Sequence, residues 1–414
     1  MTDTTLLSFE DARQLVIRSV AERRTSPRTV SLPLSEALGF VLAQEVKTDR
    51  DYPPFNRSTR DGYAVRSSEA TPGASLRCVG EIKAGDAVTS PLASGTCIQI
   101  MTGAAVPPGG DAVVMVEFTR RNGEAVSFDR TTQPGQNIVP QGSEARAGQT
   151  ALKSGLRLGF AELAIAAQIG VARLFCAKKP RVAILSTGDE LVPVSETPGP
   201  FHIRNSNSVS LAAQVHLAGG EPVLLGHALD RIDDLAEKVE LGLREDVLVL
   251  SGGVSMGKYD LVESVLKSLG AEFFFDAVAI RPGKPTVFGR GREAWVFGLP
   301  GNPVSSMVTF QLFTVPALDL LSGAPARPLP FLEATLMDAV REKAALAHFL
   351  PARLAWRGSS PCVSALQWQG SGDIAALSAA NCFLLVSPDR LDIPAGERVS
   401  VLPDRKSTRL NSSH

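Results

Sequence analysis

Two adjacent carboxylates, Asp189 and Glu190, follow the small-residue turn Ser186-Thr187-Gly188 at the end of the apolar run RVAIL. Paired oxygen ligands at such a turn suit a hard cation such as Mg²⁺, which often bridges to substrate phosphates. They equally suit a helix N-terminus, where acids offset the dipole. A second segment, Ser251-Gly252-Gly253-Val254-Ser255-Met256-Gly257, follows the run DVLVL, and Asp260 lies just beyond it. Glycines let backbone N–H groups approach an anion, though a tight turn needs them as well. A third, Pro300-Gly301-Asn302-Pro303-Val304-Ser305-Ser306, follows WVFGL, with Pro303 suited to a first helical turn. Ahead of it, Arg281-Pro282-Gly283-Lys284-Pro285 puts two cations on one turn, for an anion or for solvent. Asp61, in Ser58-Thr59-Arg60-Asp61-Gly62, and Thr102, in Met101-Thr102-Gly103, also stand on turns, where ordinary turn chemistry accounts for them.

The three strand-end segments lie between about Lys179 and Gly323, where strand-like and helix-like patterns alternate. That alternation predicts an α/β domain with a largely parallel sheet, whose ligands bind beyond the carboxyl ends of the strands. Residues 51–136 read as a β-rich module of short alternating runs. Helical periodicity flanks it. One helix follows a Ser8/Asp11 capping pattern, a second starts near Ser35, and a third runs from Gly155 to Val171. The predicted division is a discontinuous helical region at 1–50 and 137–178, the inserted module at 51–136, the α/β domain at 179–325 and a small β domain at 326–404. The stretch 405–414 has no apolar periodicity and reads as a foreign or disordered tail.

The formal net charge of −1, from 42 basic and 43 acidic residues, lacks the basic excess of a nucleic-acid binder. No apolar run is expected to span a membrane, and the polar, acidic start is not a secretory signal. The expectation is a cytoplasmic protein. Five scattered cysteines without a C-x-x-C pair read as reduced thiols, and the five histidines lack zinc-ligand spacing.

Taken together, PPFNRSTRDGYAV, IMTGAAVPPGGDAVVMVE, VAILSTGDELV, RNSNS, LSGGVSMGKYDLV, IRPGKPTVFG and FGLPGNPVSSMVTF resemble the MoeA family, which includes the gephyrin E domain. They occur in family order over roughly residues 8 to 403. The resemblance implies an elongated multidomain chain with a central parallel-sheet α/β domain, an inserted β module and a C-terminal β barrel. It implies a homodimer in which the β module of one subunit faces the α/β domain of the other. It also implies molybdenum cofactor biosynthesis: adenylylated molybdopterin and molybdate give molybdenum cofactor and AMP, with Mg²⁺. Asp61, Thr102, Asp189, Glu190 and Asp260 would then be catalytic. Ser186, Thr187, Gly188, Ser251, Gly252, Gly253, Ser255, Gly257, Pro300, Gly301, Asn302, Pro303 and Ser305 would bind substrate. Arg281, Lys284 and Ser305 would hold molybdate, and Glu190, Asp230 and Asp260 the metal. Molybdopterin adenylyltransferase and apo-molybdoenzymes are the implied transient partners.

Two segments depart from the family pattern. Asn137-Ile138 is followed by Val139-Pro140-Gln141-Gly142-Ser143-Glu144, without the arginines many members carry there. Lys258 stands where many members have an acid or a small residue. The competing readings are the adenylyltransferase step of the same pathway and a non-catalytic scaffold like gephyrin. Assaying AMP release separates all three.

Overall fold

A computed structural model describes residues 6–23, 25–253, 261–343 and 346–404. The chain forms two compact units. One holds the residues up to Val30, Gly39–Ala43 and Cys176 onward; the other holds Ser31–Leu38 and Gln44–Phe175.

In the smaller unit a six-stranded sheet is built from β1 (Gly62–Val65), β2 (Ser75–Ile82), β3 (Thr96–Ile100), β4 (Ala112–Met115), β5 (Thr119–Asn122) and β6 (Ala125–Phe128). Their order is β4-β1-β3-β2-β6-β5, with only β2 and β3 parallel. Alternation puts Tyr63 and Val65 on one side of β1 and Ala64 on the other, in two separate cores. Gly62 cannot be replaced: a Cβ there would lie 1.9 Å from the Val114 carbonyl oxygen on β4.

The flanking segments are less helical than their periodicity suggests. The expected helix near Ser35 is a single 3-10 turn, Leu34–Glu36. Pro33 precedes it and Gly39, in the left-handed region, follows it, so the few residues between cannot nucleate an α-helix. The stretch from Gly155 to Val171 holds one helix (Phe160–Gln168); the rest of 137–178 is turns and short strands. The helix α1 (Phe9–Arg23) belongs to the larger unit rather than with 137–178. Phe9 meets Phe349 edge-on at 5.3 Å, and the Arg13 guanidinium donates to the Leu312 and Arg327 carbonyls at 2.6 and 2.5 Å.

The larger unit carries a second six-stranded sheet: β7 (Arg181–Thr187), β8 (Glu221–Ala228), β9 (Val247–Ser251), β10 (Glu272–Phe275), β11 (Val287–Gly291) and β12 (Ala294–Leu299). The order is β8-β7-β9-β12-β11-β10. β8, β7, β9 and β12 are parallel, and β11 is antiparallel to both its neighbours. Consecutive side chains face opposite layers. Val182, Ile184, Val247 and Val249 pack with α1 and with residues of Ser206–Ala218 and Pro303–Leu321, whereas Ala183, Leu185, Leu248 and Leu250 pack with residues of Ile232–Gly242 and Leu261–Ser268. Pro303–Leu321 is long and apolar enough to cross a membrane, contrary to the expectation that no run would be, but it is mostly buried inside this core. It is helical throughout, with a π-type stretch at Phe310–Thr314.

The C-terminal part is a closed barrel of β13 (Leu332–Leu336), β14 (Ala347–Arg357), β15 (Ser360–Ala365), β16 (Cys382–Val386) and β17 (Arg398–Pro403). β14 pairs with both β15 and β16, which closes the ring and removes its edges. Ile280–Arg281, from the α/β region, adds a sixth strand against β14. All five cysteines are buried and free; burial pushes the Cys97 and Cys382 thiols up to about 12.

Candidate functional site

The parallel sheet fixes where a ligand can bind. From β7 the chain moves outward to β8, then crosses back to β9 on the other side of β7. Loops leaving β7 and β9 therefore diverge, and a crevice opens beyond their carboxyl ends. A cleft of about 740 Å³ lies there. It is lined by the loops after β7, β9 and β12, by Ile203–Asn207, by Asp230 and Pro285, and by Gly372 and Ile374 of the C-terminal domain.

Of the sequence-predicted residues, Ser186, Thr187, Gly188, Glu190, Asp230, Ser251, Gly252, Gly253, Pro300, Gly301, Asn302 and Pro303 line this cleft. The glycines are required by close approach. Gly252 and Gly253 have φ of 94° and 61°, and Cβ atoms there would lie 2.7 Å from the Thr187 carbonyl oxygen and 2.6 Å from Thr187 Oγ1. Gly188, with φ 137°, leaves room for the Glu190 carboxylate, which a Cβ would meet at 2.3 Å. Gly252 does not offer its own N–H to a ligand, since it donates to the Leu299 carbonyl at 3.1 Å. Thr187 Oγ1 is buried with no hydrogen-bond partner among the described residues.

The acids are arranged unequally. Glu190 and Asp230 line the cleft, while Asp189 is exposed outside its lining and accepts the Asp230 N–H at 3.0 Å. Desolvation first, then the charges of Asp189 and Glu190, raise the Asp230 carboxyl above its ordinary value. That crowding of like charge is what a divalent cation relieves. Among the described residues no three acids, histidines or cysteines converge closely enough to hold a metal by themselves. Asp260, Ser255, Gly257 and Lys258 lie outside the described residues.

Three expected ligands stand elsewhere. Ser305 is 3% exposed in its helix and does not line the cleft, because the residue two places after Pro303 turns inward. Arg281 and Lys284 are exposed beside Pro285 rather than lining the wall. Their turn is seated on the helix behind the third loop: a Cβ on Gly283 would lie 2.5 Å from Thr309 Cγ2. In the smaller unit, Asp61 Oδ1 accepts from the Thr102 N–H at 2.6 Å and from its hydroxyl at 2.9 Å. The backbone bond first, then the hydroxyl, lowers the Asp61 carboxyl, so this exposed acid stays ionised. In the departing segment, Glu144 pairs with Arg57 at 3.1 Å.

Sequence reasoning gave RNSNS no role, yet four of its residues line the cleft. Arg204 brings a cation, its Nε donating to the Val194 and Glu196 carbonyls at 3.1 and 3.0 Å. Asn205 caps the helix Ser206–Ala218 through Ser208 N at 3.1 Å, and also accepts from the Ser186 hydroxyl at 3.0 Å. Asn207 reaches Ser251 and Gly301. A signal existed: Asn205 stands at an N-cap position, and Asn207 is a polar residue on the stripe of Leu211 and Val215. Gly372 and Ile374 carried none, since nothing local tells which face of a barrel loop meets another domain.

Comparison with known proteins adds the following. Residues 7–170 match the family described as "MoeA N-terminal region (domain I and II)". Residues 183–320 match "Probable molybdopterin binding domain" and 333–403 match "MoeA C-terminal region (domain IV)". A molybdopterin molybdenumtransferase of Staphylococcus epidermidis is 31% identical over 393 residues, covering 93% of this chain and 94% of the relative. One from Haemophilus influenzae is 31% identical over 403 residues, covering 96% and 98%. A crystal structure of a molybdopterin biosynthesis MoeA protein from Pyrococcus horikoshii OT3 superposes with a TM-score of 0.81 at 28% identity, over 96% of this chain and 99% of that one.

Proposed function

The chain belongs to the MoeA family, the molybdopterin molybdenumtransferases of molybdenum cofactor biosynthesis, and on that premise we propose that its cleft binds adenylylated molybdopterin, accepts molybdate and releases molybdenum cofactor and AMP. The observation that carries this reading is the cleft at the strand switch point, where Glu190 and Asp230 face the same space as Arg204 and three backbone loops. A ligand with a charged pyrophosphate and a polar ring system needs that mixture of cation sites, donors and room.

Mg²⁺ would be held by Glu190 and Asp230 together with substrate oxygens, with Asp260 as a further ligand; when bound it would neutralise phosphate charge. Asp189 keeps Asp230 in place by taking its N–H. Arg204, on the short strand paired beside Leu191–Val192, would offset phosphate charge. Molybdate, a tetrahedral dianion, would be drawn to Arg281 and Lys284, the cations beside the Pro285 rim. Ser305, turned into the core, is not part of this proposed oxyanion site.

Assembly forms part of the proposal. Helix α2 (Phe160–Gln168) buries only Ala166, while Phe160 is 88% exposed, and Leu38 and Phe175 are 63% and 48% exposed in the same unit. An apolar surface of this kind suits a second copy of the chain, and we propose a homodimer. We also propose a cytoplasmic enzyme that takes substrate from a molybdopterin adenylyltransferase and passes product to apo-molybdoenzymes. The test is AMP release from adenylylated molybdopterin with and without molybdate. Molybdate-dependent release supports the reading. Its absence, with tight molybdopterin binding retained, would sink it in favour of a scaffold.

A further inference from the structure

Asn207 lies 9% exposed on the buried face of the helix that follows Arg204. Its Nδ2 donates to Ser251 Oγ at 2.8 Å, on the loop after β9, and to the Gly301 carbonyl at 2.7 Å, on the loop after β12. A carbonyl can only accept, so the amide nitrogen must face Gly301 and the amide cannot be flipped. Oδ1 is left buried, with no partner among the described residues. Only the donor half of the side chain is therefore used. An apolar residue would suit the helix stripe better, and a buried unpaired acceptor opposes folding. The two loops it joins are already in contact, since a Cβ on Gly301 would lie 3.4 Å from Gly252 Cα. The bridge thus joins two neighbouring loops that both line the cleft. Two residues earlier, at the N-cap, Asn205 ties the same helix to Ser186 near the end of β7.

We propose that Asn207 is a positioning residue: its two donated hydrogen bonds lock the Gly252-Gly253 turn and the Pro300–Pro303 loop at the spacing that receives the nucleotide phosphate of the substrate. This rests on the reaction proposed above. Asn207→Asp keeps the shape, removes both donations and sets a negative charge against the Gly301 carbonyl, while the Ser251 hydroxyl can turn to donate to the new carboxylate. The probe is AMP, whose affinity is read by calorimetry, alongside KM and kcat for adenylylated molybdopterin and a thermal melt. Loss of the Gly301 bond, with a charge left against that carbonyl, predicts AMP binding weakened, and KM raised, by about tenfold or more, with kcat changed less than KM and molybdate dependence retained. Ser251→Ala removes one end of the bridge without burying a charge and should give about threefold. It decides the matter if the aspartate variant does not fold. Unchanged AMP affinity and KM in either folded variant overturn the proposal. Wild-type protein that binds AMP but releases none from adenylylated molybdopterin refutes the reaction instead, and leaves the effect of Asn207 on AMP affinity readable.

Discussion

Gly252 and Gly372 line the same cleft, yet alanine should be costly at the first and nearly neutral at the second. At Gly252 the backbone has φ 94°, a region that costs an L-residue about 1–2 kcal/mol. The new Cβ would also lie 2.7 Å from the carbonyl oxygen of Thr187, the terminal residue of the buried strand β7. A backbone neighbour cannot rotate away, so the strand end or the loop must shift, an overpacking cost of about 1–3 kcal/mol. The sum is about 2–5 kcal/mol. For a domain of this size each kcal/mol lowers the melting temperature by about 2–4 °C, so Gly252→Ala should melt roughly 4–20 °C below wild type. At Gly372 nothing lies within 4 Å of a Cβ, and φ is not positive. Gly372→Ala should stay within about 0.5 kcal/mol of wild type. Thermal and urea melts of the two variants, run side by side, make the assay. Equal stability of Gly252→Ala and Gly372→Ala would refute the close-approach reasoning for the glycine turn.

Four other outcomes are expected. Lys284→Ala should raise the molybdate needed for AMP release by about ten- to a hundredfold with little effect on molybdopterin affinity, and Arg281→Lys should also be damaging because a point charge does not replace a fork; an unchanged molybdate curve moves the oxyanion site elsewhere. Glu190→Ala should lose Mg²⁺-stimulated turnover while melting like wild type, and full activity at limiting Mg²⁺ would remove it from the metal site. Asp230 is raised above its ordinary value of 3.8 in the folded state, so the fold binds that proton more tightly and stability falls as pH rises through the window above 3.8. Asp230→Asn should therefore melt higher than wild type at neutral pH in chelator, with the gain shrinking towards acid pH, and a constant or absent gain contradicts the crowding of Asp189, Glu190 and Asp230. Phe160→Asp should convert dimer to monomer by light scattering at micromolar concentration, whereas a wild-type monomer would count against the proposed assembly.

The legible parts of this protein were those governed by strand endings. Apolar runs such as RVAIL and DVLVL mark buried parallel strands, and the polar turns that follow them can only fall on one edge of the sheet. Hence Ser186–Gly188, Glu190, Ser251–Gly253 and Pro300–Pro303 all come to line the one cleft beyond the strand ends, and Pro303 opens its helix. Reach across the fold was not legible. Nothing in the string RNSNS states that Asn207 will span two loops, and nothing in PVSSM separates Ser305, which faces the core, from Pro303, which faces the cleft. Apolar period also misled near Ser35: Ala37, Val41 and Leu42 are buried, but from irregular backbone between Pro33 and the strand pairing at Leu42.

The strand Ile280–Arg281 hydrogen-bonds to β14 of the barrel while its chain continues directly into β11 of the parallel sheet. The boundary near residue 326 is therefore a seam in sequence but not in the hydrogen-bond ladder. A fragment cut there would carry away β14 and leave the basic turn hanging from an unpaired edge, open to association with other chains. The two regions are better regarded as one mechanical part: any tilt of the barrel must drag Arg281 with it, and the barrel serves the cleft as a bracket rather than as an appendage.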